Sequence, residues 1–201
     1  EIRPIAHIRT AFPEKFGIPR QSGLAKSLTA RIVFEQEFRN PDALRGLEGF
    51  SHLWLIWEFS ANKEVAPSPT VRPPRLGGNV RMGVFATRSP FRPNNLGLSC
   101  VKLEEVVNGK NGNTLIVSGA DLADNTPIYD IKPYLPYVDS IPDAKGGFSD
   151  DFKDYELEVN IPENLKVALT SLEIKNLTDL LGLDPRPSYQ NDEERIYGLS
   201  F

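Results

Sequence analysis

Polar and apolar residues alternate from Ala30 to Phe38, with Ala30, Ile32, Phe34 and Phe38 on one side and Arg31, Glu35, Glu37 and Arg39 on the other. A period of two marks a strand with one buried face. Ile2–Arg9 is short and β-like, whereas His52–Phe59 (HLWLIWEF) is apolar on both faces and predicts a central or doubly covered strand. Further strands are predicted around Met82–Ala86, Gly97–Val107 and Thr114–Gly119, the last two joined by the Asn/Gly-rich turn 108–113. The first two thirds of the chain therefore read as antiparallel β with long loops, a barrel or a sandwich.

The breaks in the pattern are as informative as the pattern. Glu14–Gly23 is a loop of mixed charge, and Ala61–Asn79 is a long Pro- and Gly-rich connection of the kind that is usually functional or disordered. Asn40-Pro41-Asp42 predicts a short helix with Asn40 as N-cap and Gly49 at its end. Composition shifts at the Gly- and Asp-rich stretch 143–154. Beyond it Tyr155–Ile161 is strand-like, and Pro162–Leu183 predicts one helix whose apolar stripe includes Leu165, Leu169, Leu172, Leu177, Leu180 and Leu181. Gly182 and Pro185 end that helix, and Ile196–Phe201 has the start of a strand. The expected organisation is a β domain over residues 1–142 and a small C-terminal α+β domain over 155–201. A first residue that is not Met and a last residue that is an apolar Phe predict a chain trimmed at both ends.

Size and composition place the chain among soluble globular proteins: 201 residues, 40% hydrophobic and 25% charged, enough to bury a core. A lone Cys100 cannot form an internal disulfide and predicts a reducing, cytoplasmic setting. With only His7 and His52 beside it, no zinc site is expected. No run is long enough for a membrane-spanning helix. Net charge is -4, yet no Asp or Glu lies between Glu64 and Glu104 while Arg72, Arg75, Arg81, Arg88, Arg92 and Lys102 do. Such a basic patch on an acidic body suits a phosphate-bearing partner.

Four segments carry the candidate chemistry. The stretch 81–99 (RMGVFATRSPFRPNNLGLS) sets Arg88 and Arg92 on a frame stiffened by Pro90 and Pro93, a fixed grip for an anion; Gly83 and Gly97 allow bending or close approach of a ligand. A Pro-rich surface turn with solvated arginines is the plainer alternative. Pro19–Leu24 is a turn with little distinguishing chemistry of its own. The stretch 121–134 (DLADNTPIYDIKPY) gathers Asp121, Asp124, Asp130, Lys132 and two tyrosines around two prolines, either as acid–base and ligand-holding groups or as turn chemistry with an Asp130–Lys132 pair. Asp184–Tyr189 presents Arg186 and Tyr189 on a proline-fixed loop, fit to stack on a nucleotide or to connect a helix to a strand. A glycine-rich dinucleotide loop, a P-loop, a GxSxG elbow and paired cysteines are all missing, which disfavours a Rossmann-type cofactor site.

The strings RPPRLGGNVRMGVFATRSPFRPNNLGLS (72–99) and DNTPIYDIKPYLPYVD (124–139) closely resemble the TsaA-like, or TrmO, family. The likeness extends to EKFGIPRQSGL (14–24), RGLEGFSHLWLIW (45–57), DPRPSY (184–189) and IYG (196–198). It implies an antiparallel β-barrel and an S-adenosylmethionine-dependent tRNA methyltransferase, homodimeric, with the cofactor near the dimer interface and no metal. The implied reaction methylates N6 of N6-threonylcarbamoyladenosine, immediately 3′ of the anticodon.

Carried over by position, the resemblance implies cofactor contacts at Ser22, Gly23 and Leu24, at Arg88, at Leu98, and at Ser118, Gly119, Ala120 and Asp121. Two more fall on Ser60 and Ala61, where this chain departs from the larger polar pair of relatives; Asn95 and Asn125 replace a commoner Pro and Gly. On this reading Arg88 holds the cofactor carboxylate or fixes its own loop, and Asp121 makes polar cofactor contacts. Arg92, Lys132 and Tyr134 orient tRNA phosphate or the threonylcarbamoyl carboxylate, and Asp124 or Asp130 accepts the proton. Arg72, Arg75, Arg186 and Tyr189 extend the RNA-binding set. Two other readings compete: a dimeric, non-catalytic RNA-binding adaptor, and an S-adenosylmethionine-dependent methyltransferase of another substrate.

Overall fold

The structure is a computed structural model that describes residues 2–62, 66–109, 112–152, 155–186, 192 and 194–198. Six strands close into an antiparallel barrel: β1 (Ala6–Arg9), β2 (Thr29–Phe34), β3 (His52–Glu58), β6 (Leu96–Val107), β7 (Thr114–Ser118) and β8 (Pro127–Pro133), in the order β1-β2-β7-β6-β3-β8. The two remaining strands, β4 (Thr70–Val71) and β5 (Met82–Gly83), form a separate two-stranded sheet within the connection from β3 to β6.

The alternation seen in the sequence selects which side chains fill the barrel. Ala30, Ile32 and Phe34 of β2 and Leu53, Leu55 and Trp57 of β3 point inward, with Ile8, Val101, Leu115, Val117 and Ile128 completing the core. Each such side chain contributes about 1.5–3 kcal/mol when fully buried. β3 has barrel neighbours on both sides, β6 and β8, as its doubly apolar sequence requires. Its outward residues His52, Trp54, Ile56 and Glu58 are half-buried.

Several elements differ from expectation. β2 ends at Phe34, and Gln36–Phe38 is a 3-10 turn, so Phe38 packs on the core from outside the strand. Asn40 does cap Asp42 N–H, but the expected short helix is two 3-10 turns, Pro41–Leu44 and Leu47–Gly49. The closing strand β8 begins and ends on proline, where strand patterns are least visible; Pro127 sits at the first residue, where no ladder donor is lost inside the strand. Residues 155–161 form no strand.

The predicted helix 162–183 is two pieces, α2 (Glu163–Lys166) and α3 (Ser171–Gly182), after the short α1 (Pro136–Asp139). The break falls where the Thr170 hydroxyl accepts from Glu173 N–H and the Glu173 carboxylate accepts from Thr170 N–H, a capping box that starts α3 afresh. Leu165 and Leu172, expected in one stripe, are exposed, while Leu180 inserts beside Phe12, Ala25 and Leu28. The expected strand start at 196 is irregular through residue 198, and its remainder lies outside the described residues.

One consequence of this topology positions the site. β1, β3 and β7 all end, and β2, β6 and β8 all begin, at the same rim of the barrel. The long connections 10–28, 59–95 and 119–126 therefore converge there. At that rim Trp57 lies flat against its cross-strand partner Gly97, whose position would place a Cβ inside the indole ring. Gly97→Ala should overpack this contact and cost about 1–3 kcal/mol, read as a lower urea midpoint with an unchanged m-value.

Candidate active site

The three converging connections enclose a cleft of about 560 Å³, within the range of small-molecule sites. Trp57 and Phe59, in edge-to-face contact at 4.3 Å, form an aromatic wall with Leu96 and Leu98 beside them. Leu96 and Leu98 alternate with Gly97 and Ser99 along β6, so the leucines face outward while the two small residues are buried. The charged groups facing the cleft are Lys15, Arg20, Glu58, Arg88, Arg92 and Asp121.

The floor is a hydrogen-bonded chain. Trp57 Nε1 donates to Ser99 Oγ at 2.9 Å, and Ser99 Oγ donates to Asp121 Oδ1 at 2.5 Å. The Ser22 backbone N–H also bonds the Asp121 carboxylate, and Ser22 Oγ in turn accepts from Cys100 N–H at 3.2 Å. Burial pushes the Asp121 carboxyl above its ordinary range, against the opposing pull of Ser99, the backbone N–H groups and Arg88. Behind the floor, Gly23 N–H bonds Gly119 O at 2.8 Å, both glycines having left-handed φ of 79° and 75°. A Cβ on Gly119 would stand 3.1 Å from Gly23 Cα, so the two segments meet backbone to backbone.

The arginine loop is held by its own residues. Arg92 donates to Val84 O at 3.2 Å and Thr87 O at 2.7 Å, and its guanidinium lies 5.7 Å from the Phe85 ring centre. Thr87 Oγ1 donates to Val84 O and accepts from Ser89 N–H. Arg88, exposed, reaches Gln21 Oε1 at 2.6 Å across the cleft mouth. Gly97, expected to serve a ligand's approach, instead accommodates Trp57, and Gly83 has an ordinary φ of -57°.

Of the proposed cofactor residues, Ser60, Ala61, Arg88, Leu98 and Asp121 line the cleft; Ser22 and Gly23 lie behind its floor. Leu24 is exposed, Gly119 and Ala120 are buried, and the Ser118 hydroxyl turns away to donate to Glu104 Oε1 at 2.5 Å.

The proposed catalytic set is spread along β8 and its entry. Asp124 sits at the rim between cleft residues Ala123 and Thr126, accepting from Thr10 N–H at 3.0 Å and pairing with Arg9. Asn125 takes the left-handed φ of 61° that its type tolerates. Asp130 pairs with Lys132 at 2.9 Å on the outer barrel face. Tyr134 lies farther down, against His52 and Trp54 at the start of β3. The structure does not bring these last three into the cleft.

Among the proposed RNA contacts, Arg92 lines the cleft and Arg72 is exposed, whereas Arg75 bonds Phe152 O at 2.7 Å. Arg186 forms a two-pronged pair with Asp184, and Tyr189 lies outside the described residues.

Sequence reading missed Trp57, Phe59, Ser99, Glu58, Arg20 and Gln21. The signal available was the LGLS pattern at 96–99, where Gly and Ser on the inward side of a strand imply a large polar-tipped neighbour. Glu58 accepts from Tyr129 Oη at 2.6 Å. Burial first and this carboxylate second push the Tyr129 hydroxyl up to about 12, so it stays a neutral donor at neutral pH.

The family model of the tRNA-methyltransferase O N-terminal domain matches residues 7–140. A tRNA (adenine(37)-N6)-methyltransferase of Escherichia coli K12 is 44% identical over 200 residues, covering 96% of this chain and 85% of that protein. A Pseudomonas aeruginosa protein described as "Putative S-adenosylmethionine-dependent methyltransferase RcsF" is 40% identical over 207 residues, covering 98% of this chain and 87% of its own length. A crystal structure of TrmO superposes with a TM-score of 0.76 at 33% identity, over 100% of this chain and 88% of that one.

Two outcomes follow from the site's electrostatics. A folded-state carboxyl raised above its unfolded value binds its proton more tightly in the native state, so ionising Asp121 costs stability as pH rises past the unfolded value. Asp121→Asn should therefore raise the urea midpoint at pH 7 and shrink the advantage toward about pH 4, near the unfolded carboxyl value. Glu58→Gln should lower the Tyr129 hydroxyl from about 12 toward its ordinary value of 10.0, measured by the wild-type minus Tyr129→Phe difference in ultraviolet pH titration.

Proposed function

We propose that this chain, which belongs to the TrmO family, transfers a methyl group from S-adenosylmethionine to N6 of adenine 37 in tRNA. The observation that carries this reading is the cleft itself: an aromatic and aliphatic wall, a buried acceptor in Asp121 and a cation in Arg88 at one barrel rim. Those residues fit a zwitterionic amino-acid end joined to an apolar-faced nucleoside. When bound there, S-adenosylmethionine supplies an electrophilic methyl carbon on a sulfonium sulfur that departs as a neutral thioether.

The chain's own part is binding, orientation and exclusion of water. Arg88 pairs with a carboxylate, a charge-assisted contact at the cleft mouth. Asp121 accepts from donor groups of the amino-acid or sugar portion. Trp57, Phe59, Leu96 and Leu98 cover the nucleoside, and the Gly23–Gly119 backbone contact holds the floor against them. Alignment is then the main catalytic contribution, as the leaving group needs no assistance.

The finer assignment takes N6-threonylcarbamoyladenosine as the acceptor nucleoside. Its N6 proton must leave as the new N–C bond forms. Asp124, at the rim between cleft residues Ala123 and Thr126, is our choice of acceptor over Asp130, which lies with Lys132 on the outer barrel face away from the cleft. Arg72, Lys132 and Tyr134 serve tRNA contacts, and Arg92 acts chiefly by shaping the loop that presents Arg88. A homodimer is included, for which the exposed Leu98 beside the cleft mouth speaks. So is a cytoplasmic setting, consistent with an unpaired Cys100 and with the lack, among the described residues, of a helix long and apolar enough to cross a membrane. The β domain is assigned to 1–142 and the C-terminal domain to 155–201.

Purified protein should methylate tRNA carrying the threonylcarbamoyl group and leave unmodified tRNA untouched, read by nucleoside mass spectrometry. Transfer to both pools would refute the finer substrate assignment, and transfer to neither would refute the reaction. Arg88→Ala should weaken S-adenosylmethionine binding about 10- to 100-fold in titration calorimetry; unchanged affinity would remove Arg88 from the cofactor site.

A further inference from the structure

Ser99 has a single hydroxyl hydrogen, is fully buried, and stands between two polar groups of fixed character. On one side is the Trp57 indole N–H, which can only donate. Its bond takes one of the two lone pairs of Ser99 Oγ, and the hydroxyl hydrogen is directed at Asp121 Oδ1 at 2.5 Å. Rotating that hydrogen toward Trp57 would set two donors against each other at a fully buried position, which gives the chain its direction.

We propose that Ser99 is the positioning residue of the cofactor site, its hydroxyl polarised by Trp57 and directed at Asp121 Oδ1, so that the carboxylate is held facing the cleft as a hydrogen-bond acceptor. The ligand atom taken at Asp121 is thereby a hydrogen-bond donor, an ammonium or a sugar hydroxyl, and a carbonyl or carboxylate is rejected there. Trp57 couples the two halves of the site, because the same indole that directs Ser99 is also the aromatic wall.

The surrounding charges are consistent with that role. Arg88, on the arginine loop, acts on Asp121, and the same cleft is lined by Lys15 and Arg20 of the 10–28 connection, Arg92 of the arginine loop and Glu58 at the end of β3. Cys100, next along β6, is held protonated by burial. Within this set Ser99 is the one neutral side chain bonded to the Asp121 carboxylate among the described residues. Removing its hydroxyl leaves Trp57 N–H without an acceptor and Asp121 with less support for its charge.

The ligand's identity rests on the function proposed above, but the network does not, and the test separates them. In a Trp54→Phe background, which leaves Trp57 as the only remaining tryptophan, emission of the ligand-free protein is titrated across the acid range. A transition should appear that Asp121→Asn abolishes, that Ser99→Ala moves to higher pH and that Ser99→Thr leaves in place. In calorimetry with S-adenosylhomocysteine, Ser99→Ala should weaken binding by at least about tenfold at pH 7. Its acid-side loss of affinity should move up in pH by the same amount as the fluorescence midpoint. A folded Ser99→Ala protein with wild-type affinity and an unmoved midpoint would overturn the proposal. So would a transition that persists in Asp121→Asn, an outcome that does not depend on whether Ser99→Ala folds. A moved midpoint in a protein whose wild type binds no S-adenosylhomocysteine would uphold the network and sink the cofactor assignment.

Discussion

A carboxylate held under the rim of an apolar barrel constrains the rest of this structure. Burying Asp121 without partners would cost far more than any single contact returns. The chain meets that cost with one hydroxyl and backbone N–H groups, and each of these requires something further away. Ser99 must face inward, so β6 carries a polar residue on its core side. Trp57 must reach it, so its ring lies over a cross-strand glycine. Ser22 must come within reach from the 10–28 connection, which the Gly23–Gly119 contact brings against the end of β7. The residual strain appears as a raised carboxyl, a stability cost retained at the place where a ligand would repay it.

The arginine loop answers a different constraint. A connection of this length has no core of its own, and prolines alone do not fix it. Its order comes from the β4–β5 pair and from Arg92, whose guanidinium ties the carbonyls of Val84 and Thr87 and lies 5.7 Å from the Phe85 ring centre. The two arginines, indistinguishable as charges, thus divide by hydrogen bonding. Arg92 spends donors on the loop, and Arg88, four residues earlier, is left at the mouth of the cleft.

Much of this fold was legible because a barrel interior imposes period two, which β2 shows in its sequence, and because β3 stands out as an apolar run. β8 was not legible, since Pro127 and Pro133 bound a strand whose charged residues face outward near a bulge at Trp57. The capping box at Thr170 and Glu173 lies inside an otherwise continuous leucine pattern, which hid the break between α2 and α3. At the site, motif resemblance reached Arg88, Leu98 and Asp121 on the cleft and Ser22 and Gly23 behind it, but not the Trp57–Phe59 wall or Ser99. Ser99 and Trp57 look like ordinary strand residues until the β3–β6 register sets residue 57 against 97. The Asp130–Lys132 pair is the plainer of the two alternatives the sequence offered, and the β8 backbone carries it away from the cleft.

The charge distribution around the cleft argues for how the two ligands of such an enzyme are kept apart. The chain is net negative, yet Lys15, Arg20, Arg88 and Arg92 outnumber Glu58 and Asp121 at this rim. The cations lie in connections that form the mouth, where they set a positive local field on a net-negative chain. The two carboxylates lie at the barrel wall, each bonded to a neutral donor, Ser99 for Asp121 and Tyr129 for Glu58. Charges so placed favour a cation within the cleft and an anion at its entrance. Exchanging their positions would reverse that preference.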